Sequence, residues 1–227
     1  MLLKKLQFKR RNNSSFFCPI MLKYKCLERS DTMGKIVLFM GKSASGKDAI
    51  RRHLVKTNKF AFKEMIMSTT RPIRTGEIEG REYYFKTEEE MHLLEQEKKI
   101  IESRKYNTIY GPWYYFTTSD SIDLNRYNYI GSNTLVGYDQ FVKYYGTDKI
   151  IPILIDVKND IRLERALERE RKEKNPKYQE LCRRFLADSE DFSLENIKKR
   201  NITNIISNNG DFNSTIEEVE KVIKLSL

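Results

Sequence analysis

The chain has 227 residues, of which 39% are hydrophobic and 33% charged, with a formal net charge of +10. This length suits one domain with a sizeable core, and no stretch approaches the roughly 20 apolar residues that span a bilayer. Residues 1–33 carry a net charge of +6 and residues 34–227 only +4, so the body lacks the strongly basic surface of a nucleic-acid-binding protein. Three cysteines without metal-type spacing are typical of a cytoplasmic protein with reduced thiols.

Residues 1–33 show no sustained helical or strand periodicity, and no acid precedes Glu28. A basic, acid-poor N-terminus is typical of an organelle transit peptide. A disordered extension, or translation that starts at Met33, accounts for the same composition. We favour these two interpretations because Met33 leads directly into the first predicted strand, and we expect the folded domain at 34–227.

An apolar segment at residues 36–40 runs directly into the pattern G-x-x-x-x-G-K at residues 41–47. The glycines let the backbone approach an anion closely, and successive N–H groups with the following helix N-terminus then face its phosphates. Lys47 supplies a cation for the β- and γ-phosphate oxygens. The pattern predicts a phosphate-binding loop between a strand at 35–40 and a helix at 46–57. Its residues are Gly41, Lys42, Ser43, Ala44, Ser45, Gly46, Lys47 and Asp48.

Asp48 stands where such a loop has a serine or threonine whose hydroxyl binds Mg²⁺. A carboxylate can hold a hydrated Mg²⁺ through the waters that this ion retains. We therefore expect Asp48 to contact the metal through water, with Ser43 and Ser45 as alternative sources of a hydroxyl group.

Strand and helix patterns alternate over the rest of the chain. A turn-rich stretch with short strands covers residues 62–118 and contains a helix over 87–99, which begins at Thr87 before a glutamate cluster. Strands separated by helices predict an α/β fold with a parallel sheet covered on both faces. The remaining predicted elements are helices at 138–145, 159–174, 177–190 and 213–225 and strands at 149–157 and 202–207.

A second motif lies in the segment STTRPIRTGEIEGREYYF, residues 68–85. Arg71 and Arg74 are three residues apart across a proline and can grip one phosphate from two directions. Gly76 and Gly80 fold the chain back, so that a tyrosine hydroxyl reaches the same anion. The segment predicts a site for a phosphorylated acceptor, although two surface arginines in a solvated turn would give the same local pattern.

The spacing R-x-x-R-x-G-E-x-x-G-x-x-Y-x-F resembles the nucleoside monophosphate segment of the guanylate kinase family, and the resemblance spans roughly residues 34–208. It implies a P-loop NTPase three-layer fold and ATP-dependent phosphorylation of GMP or dGMP, with Mg²⁺ as cofactor and ATP as co-substrate. It also implies a core, a monophosphate-binding lobe and a helical lid. The core would comprise residues 34–60, 119–158 and 191–227, the lobe about 61–118 and the lid about 159–190.

The resemblance also assigns roles to single residues. Glu102 is similar to the family's guanine-reading glutamate, and Tyr110 to the tyrosine of its phosphate-contacting Tyr-Gly pair. Arg165 and Arg169 resemble the lid arginines that cover ATP, and Arg184 a later lid-side arginine. The implied catalytic residues are Lys47, Arg71, Arg165, Arg169 and Arg184. The implied acceptor-binding residues are Ser68, Arg71, Arg74, Tyr83, Glu102, Tyr110 and Asp139.

Several positions depart from the family pattern, and they concern base selection. Met67 stands where the family has the serine that reaches guanine O6. Glu102 lies eight residues before Tyr110, one fewer than in the family, and Pro112 replaces a serine or threonine. The family's D-x-D stretch appears as LVGYDQF, so that Asp139 is present in a shifted register.

Two alternatives stand beside a GMP or dGMP kinase. The same fold could phosphorylate another nucleotide or a phosphorylated sugar. A guanylate-kinase-like module without catalysis could instead bind a protein ligand in the monophosphate groove, but Lys47 and the complete glycine loop argue against it. We expect small-molecule nucleotides as partners, no nucleic acid or membrane, and a monomer or homodimer.

Overall fold

The computed structural model describes residues 33–74, 76–108 and 111–227. The N-terminal segment therefore lies almost entirely outside the described residues. The strands are β1 (Ile36–Met40), β2 (Lys63–Glu64), β3 (Ser68–Thr69), β4 (Tyr84–Phe85), β5 (Ile100–Thr108), β6 (Gly111–Thr118), β7 (Tyr129–Ser132), β8 (Ile150–Asp156) and β9 (Ile205–Ser207). The helices are α1 (Lys47–Thr57), α2 (Glu88–Gln96), α3 (Leu135–Tyr145), α4 (Asn159–Arg171), α5 (Tyr178–Asp191), α6 (Leu194–Lys198) and α7 (Phe212–Ser226).

The core sheet has five strands in the order β2-β7-β1-β8-β9, and each neighbouring pair is parallel. Every residue of the central strand β1 is apolar and buried. The reason is that its side chains point alternately to the two faces of the sheet, and each face packs against its own hydrophobic core. Helix α3 covers one face, and helices α1 and α7 cover the other. This arrangement confirms the predicted α/β class with a parallel sheet.

A second sheet of four strands, in the order β4-β3-β6-β5, forms the lobe. Its main feature is the long antiparallel hairpin of β5 and β6, whose register shifts by one residue between Ile100 and Glu102. The lobe was predicted to begin near residue 61, but β2 pairs with β7 in the core sheet. The reason is packing, since Phe62 and Met65 on either side of β2 are buried in the two core clusters.

The helices follow the predicted pattern with small shifts at their ends. Thr87 is the N-cap of helix α2, as predicted, and forms a capping box with Glu90. Helix α3 begins three residues earlier than predicted, because the Thr134 side chain accepts a hydrogen bond from the Gly137 N–H and caps the first turn. Helix α6 was not predicted. Among the helices of the described residues, none is long and apolar enough to cross a membrane.

Candidate active site

The loop between β1 and α1 is held in a shape that favours glycine at residue 46. Gly46 has a φ of 88°, and a Cβ at this residue would lie 2.3 Å from Nδ2 of Asn208. The same Nδ2 donates a hydrogen bond of 2.8 Å to the Ser45 carbonyl oxygen. Asn208 follows β9 and is buried, so a residue at the end of β9, two strands away from β1 in the sheet, holds the loop through this bond. No local sequence pattern predicted the role of Asn208.

A carboxylate and a hydroxyl group meet at the start of α1. Oδ1 of Asp48 accepts a hydrogen bond of 3.1 Å from Oγ of Ser132, and Nζ of Lys47 lies 3.6 Å from Oδ2 of Asp48. Ser132 is the last residue of β7, and its strand is the parallel neighbour of β1. A hydroxyl group from the end of the adjacent strand therefore lies beside loop position 48.

A cleft of about 360 Å³ lies between the phosphate loop, the end of β7, strand β5 and helix α5. Its size is in the range of small-molecule sites. Cations outnumber acids on its walls, as an anionic ligand requires. The cations are Lys47, Arg104, Arg183 and Arg184, and the acids are Asp188 and Asp191.

The helix α5 touches the phosphate loop through Asp188. Oδ2 of Asp188 accepts a hydrogen bond of 2.7 Å from the backbone N–H of Ser43 and lies 3.4 Å from Nη1 of Arg162. Arg162, on α4, is fully buried, and its guanidinium carbon lies 3.6 Å from the centre of the Phe185 ring. Its Nη2 donates to the Phe185 carbonyl and to Oγ of Ser189. One buried arginine thus ties α4 to α5.

One face of the lobe sheet gathers polar and aromatic side chains. Directly opposed residues of antiparallel strands point to the same face, and alternate residues along a strand share it. Glu102 opposes Thr117 and Arg104 opposes Tyr115, so all four side chains lie on one face. The hydroxyl of Thr117 donates to Oε1 of Glu102 at 2.9 Å, and Nε of Arg104 lies 3.2 Å from Oε2. Glu102 is therefore a buried carboxylate beside one cation.

Arg71 is held at the same lobe by Glu77. Their two hydrogen bonds, Nη1 to Oε2 at 2.8 Å and Nη2 to Oε1 at 2.5 Å, form a bidentate pair. Glu77 also accepts from the Arg74 N–H at 2.9 Å. These bonds, first that from Arg71, lower the pKa of Glu77 to about 2. The guanidinium of Arg71 also lies 5.1 Å from the centre of the Tyr83 ring, so both Glu77 and Tyr83 fix its position.

The charges of Arg71 and Arg104 act on the same tyrosine. Burial raises the pKa of Tyr83, and both arginines oppose that shift. Arg104 in turn lines the cleft with Lys47. Arg104 is therefore the residue that belongs both to this lobe face and to the cleft beside the loop, whereas Arg71 and Tyr83 do not line the cleft.

The comparisons with known proteins agree on one family. The family model described as guanylate kinase matches residues 33–226. The guanylate kinase of Mycoplasma mobile is 30% identical over 196 residues, which cover 84% of this chain and 92% of that protein. That of Streptococcus agalactiae serotype III is 36% identical over 73 residues, 32% of this chain and 35% of that protein. The chain belongs to the guanylate kinase family.

The crystal structure of guanylate kinase from Anaplasma phagocytophilum is similar in fold. It has a TM-score of 0.57 and 17% sequence identity, covering 85% of this chain and 86% of that one. At this identity the likeness concerns the fold, and it agrees with the predicted P-loop NTPase architecture.

Of the three lid arginines expected from the guanylate kinase pattern, two lie beside the phosphate loop and one does not. Arg169 and Arg184 line a small cavity together with Ser43 of the phosphate loop. Arg165, half-buried on α4, lines neither this cavity nor the cleft. Within the described residues, Asp188 of α5 forms a hydrogen bond with the loop, and no sequence pattern predicted this contact.

Of the predicted acceptor residues that the structure describes, none lines the cleft itself, and two have other surroundings. Ser68 lies on the opposite face of the lobe sheet, where it lines a separate cavity of about 430 Å³ with Tyr84, because strand alternation turns it away from the Arg104 face. Asp139 is held by Arg200, whose Nη2 lies 2.7 Å from Oδ2. We do not retain either residue as an acceptor contact. Tyr110 lies outside the described residues.

Proposed function

We propose that this guanylate kinase family member transfers the γ-phosphoryl group of ATP to GMP or dGMP. The observation that carries the proposal is a single cleft bordered by Lys47 of the phosphate loop and by Arg104, next to Glu102, on the lobe sheet. A kinase for a phosphorylated acceptor needs two anion sites side by side, with a base-reading group beyond the second. The named guanylate kinases among its relatives support the same reaction.

The donor side would bind the triphosphate of ATP. The N-terminus of α1 and the loop N–H groups would face the phosphates, except those of Ser43 and Ser45, which donate to Asp188 and to the Lys42 carbonyl. Lys47 would neutralise the β- and γ-phosphates. Arg169 and Arg184 border the loop from the lid, so they would stabilise charge on the transferred group. Transfer of this kind depends on positioning and electrostatics and needs no general base on the protein.

The acceptor side would bind the nucleoside monophosphate. Arg71 and Arg74 would grip its phosphate, with Tyr83 beside them and Tyr110 as a further predicted contact. Glu102 would accept the N1–H and the exocyclic amino group of guanine. In the described part of the chain, Oε2 of Glu102 has no hydrogen-bond partner, so it is available for this role.

A magnesium ion would complete the donor side. The oxygen groups of Asp48 and Ser132 suit it, because Mg²⁺ prefers hard oxygen ligands and keeps several waters. Their contact of 3.1 Å orients the carboxylate, whose side chain is 54% exposed toward solvent. When bound, the ion would neutralise charge on the phosphates. The protein's part would be to hold it beside Lys47.

A coupled assay with purified protein, ATP and Mg²⁺ tests the proposal across GMP, dGMP, AMP, CMP, UMP and sugar phosphates. ADP formation that depends on GMP or dGMP, well above that with the other acceptors, supports it. Turnover that prefers a pyrimidine nucleotide, AMP or a sugar phosphate would assign the fold to a different acceptor. ATP binding without turnover on any acceptor would indicate a non-catalytic module.

A further inference from the structure

We propose that Arg104 reads O6 of the guanine base, an assignment that rests on the proposed function. Arg104 follows Glu102 by two residues on β5, so both side chains lie on the same face of the lobe sheet. Arg104 also lines the cleft with Lys47. It is therefore placed between the base-reading glutamate and the phosphate loop.

The contacts of Arg104 leave its donors available. Its Nη2 lies 3.0 Å from Sδ of Met67, and a thioether is a weak acceptor. Its Nε lies 3.2 Å from Oε2 of Glu102, yet both atoms are without a hydrogen-bond partner within the described ranges. The pair balances charge without forming an aligned hydrogen bond. Buried donors and acceptors of this kind are normally satisfied, so their bonds are expected from a ligand.

The neighbour of Arg104 explains why an arginine is needed. Met67 occupies the position from which the family serine reaches O6, and its side chain has no hydrogen to donate. The Arg104 guanidinium lies against this same side chain. It therefore brings charged donors to the place where the hydroxyl is missing.

The pair formed by Glu102 and Arg104 matches the edge of guanine. Guanine presents O6 as an acceptor beside the N1–H and amino donors, and arginine is a common partner of O6 in nucleic-acid recognition. Adenine presents an amino donor at position 6 and an acceptor at N1. Its donor would face the guanidinium and its acceptor the carboxylate, so both contacts would be unfavourable. The pair therefore selects guanine over adenine.

Arg104 also compensates the charge of Glu102, whose side chain is fully buried. The experiment must separate that structural role from base reading. Three acceptors do so: GMP, 6-thio-GMP, which changes only position 6, and IMP, which lacks only the 2-amino group. For Arg104→Met we expect kcat/KM for GMP to fall by roughly 10- to 100-fold, the range for a hydrogen bond from a charged donor. The preference for GMP over 6-thio-GMP should fall toward one, whereas the preference for GMP over IMP should be kept.

The control is Lys105→Met, which removes a cation from the next residue of β5, an exposed position on the opposite face. It should leave both preferences unchanged. If Arg104→Met does not fold, the Glu102→Gln variant is compared with the double variant Glu102→Gln/Arg104→Met. In both of these proteins no carboxylate charge is left unpaired at residue 102.

Two results would overturn the assignment of Arg104 but not the proposed function. One is an active Arg104→Met enzyme that keeps the wild-type preference for GMP over 6-thio-GMP. The other is an enzyme that loses this preference and the preference for GMP over IMP equally. A wild-type enzyme that does not phosphorylate GMP overturns the proposed function itself, and the assignment with it.

Discussion

The carboxylate of Asp188 accepts a hydrogen bond of 2.7 Å from the backbone N–H of Ser43, which joins helix α5 to the phosphate loop. The same carboxylate lies 3.4 Å from the buried guanidinium of Arg162. The contact extends from α4 through α5 to the loop. One carboxylate therefore contacts both α4 and the loop that follows β1.

Replacing Asp188 by alanine should destabilise the protein by about 1–3 kcal/mol, because the buried Arg162 loses its carboxylate partner and the Ser43 N–H loses its acceptor. The free energy of unfolding from urea titrations measures the change. Glu190→Ala is the control, since it removes an exposed acid from the same helix. Equal stability of the two variants would show that the contact contributes nothing.

Ser132→Ala and Asp48→Asn should both weaken metal binding. The hydroxyl orients the carboxylate, and the loss of such an orienting partner typically costs roughly 10- to 100-fold in metal affinity. Mn²⁺ titration of the protein with ATP, followed by electron paramagnetic resonance, measures this without turnover. Asp160→Asn, an exposed substitution on α4, should bind Mn²⁺ as the wild type does. Unchanged binding by both site variants would place the ion elsewhere.

Lys47→Ala should reduce kcat by at least about 100-fold with little effect on folding. The residue lines the cleft, and removal of one preorganised charge-stabilising donor costs on this order. Steady-state kinetics and a thermal unfolding curve together provide the measurement. Lys56→Ala, in the last turn of α1, provides a matched loss of one charge. Turnover that survives in Lys47→Ala would contradict the assigned role.

Arg71→Ala should raise the KM for the acceptor and lower kcat, while the KM for ATP stays nearly constant. Each charge-assisted contact contributes roughly 1.5–3 kcal/mol. Initial rates with GMP varied at saturating ATP, and then the reverse, separate the two effects. If the rate depends on GMP concentration as in the wild type, the acceptor phosphate binds at a site other than Arg71.

Glu77→Gln should make the stability of the protein less dependent on acidic pH. The folded-state pKa of Glu77 is lowered to about 2, below the ordinary glutamate value of about 4.3. A carboxyl with a lowered pKa binds its proton less readily when folded, so it stabilises the fold above about pH 4.3 and loses that contribution as pH falls toward 2. Chemical unfolding at several pH values between 5 and 2 tests this. Parallel curves for the two proteins would contradict it.

The sequence predicts well what depends on local pattern. The apolar run of β1, the glycine loop and the cap at Thr87 each act within a few residues, and the structure has all three elements in place. The contacts of Asp48 with Ser132 and of Asp188 with Ser43 join residues 84 and 145 positions apart. No local pattern specifies such pairs, because strand order and helix packing create them.

Arg104 is an intermediate case. Once Glu102 is placed on a strand, period-two alternation puts Arg104 on the same face. Its contact with Met67 depends on the pairing of separate strands and was not predictable. Ser68 shows the converse, since a shift of one residue along a strand turns a candidate contact to the other face of the sheet.

The most direct test of the central claim is to follow the phosphoryl group itself. The protein is incubated with Mg²⁺, GMP and ATP that carries ¹⁸O in its γ-phosphoryl group. The nucleotides are then separated, and their masses are measured by mass spectrometry. The account predicts GDP that carries the label in its β-phosphoryl group, with ADP formed in equal amount. Labelled inorganic phosphate without labelled GDP, or no loss of ATP at all, would contradict it.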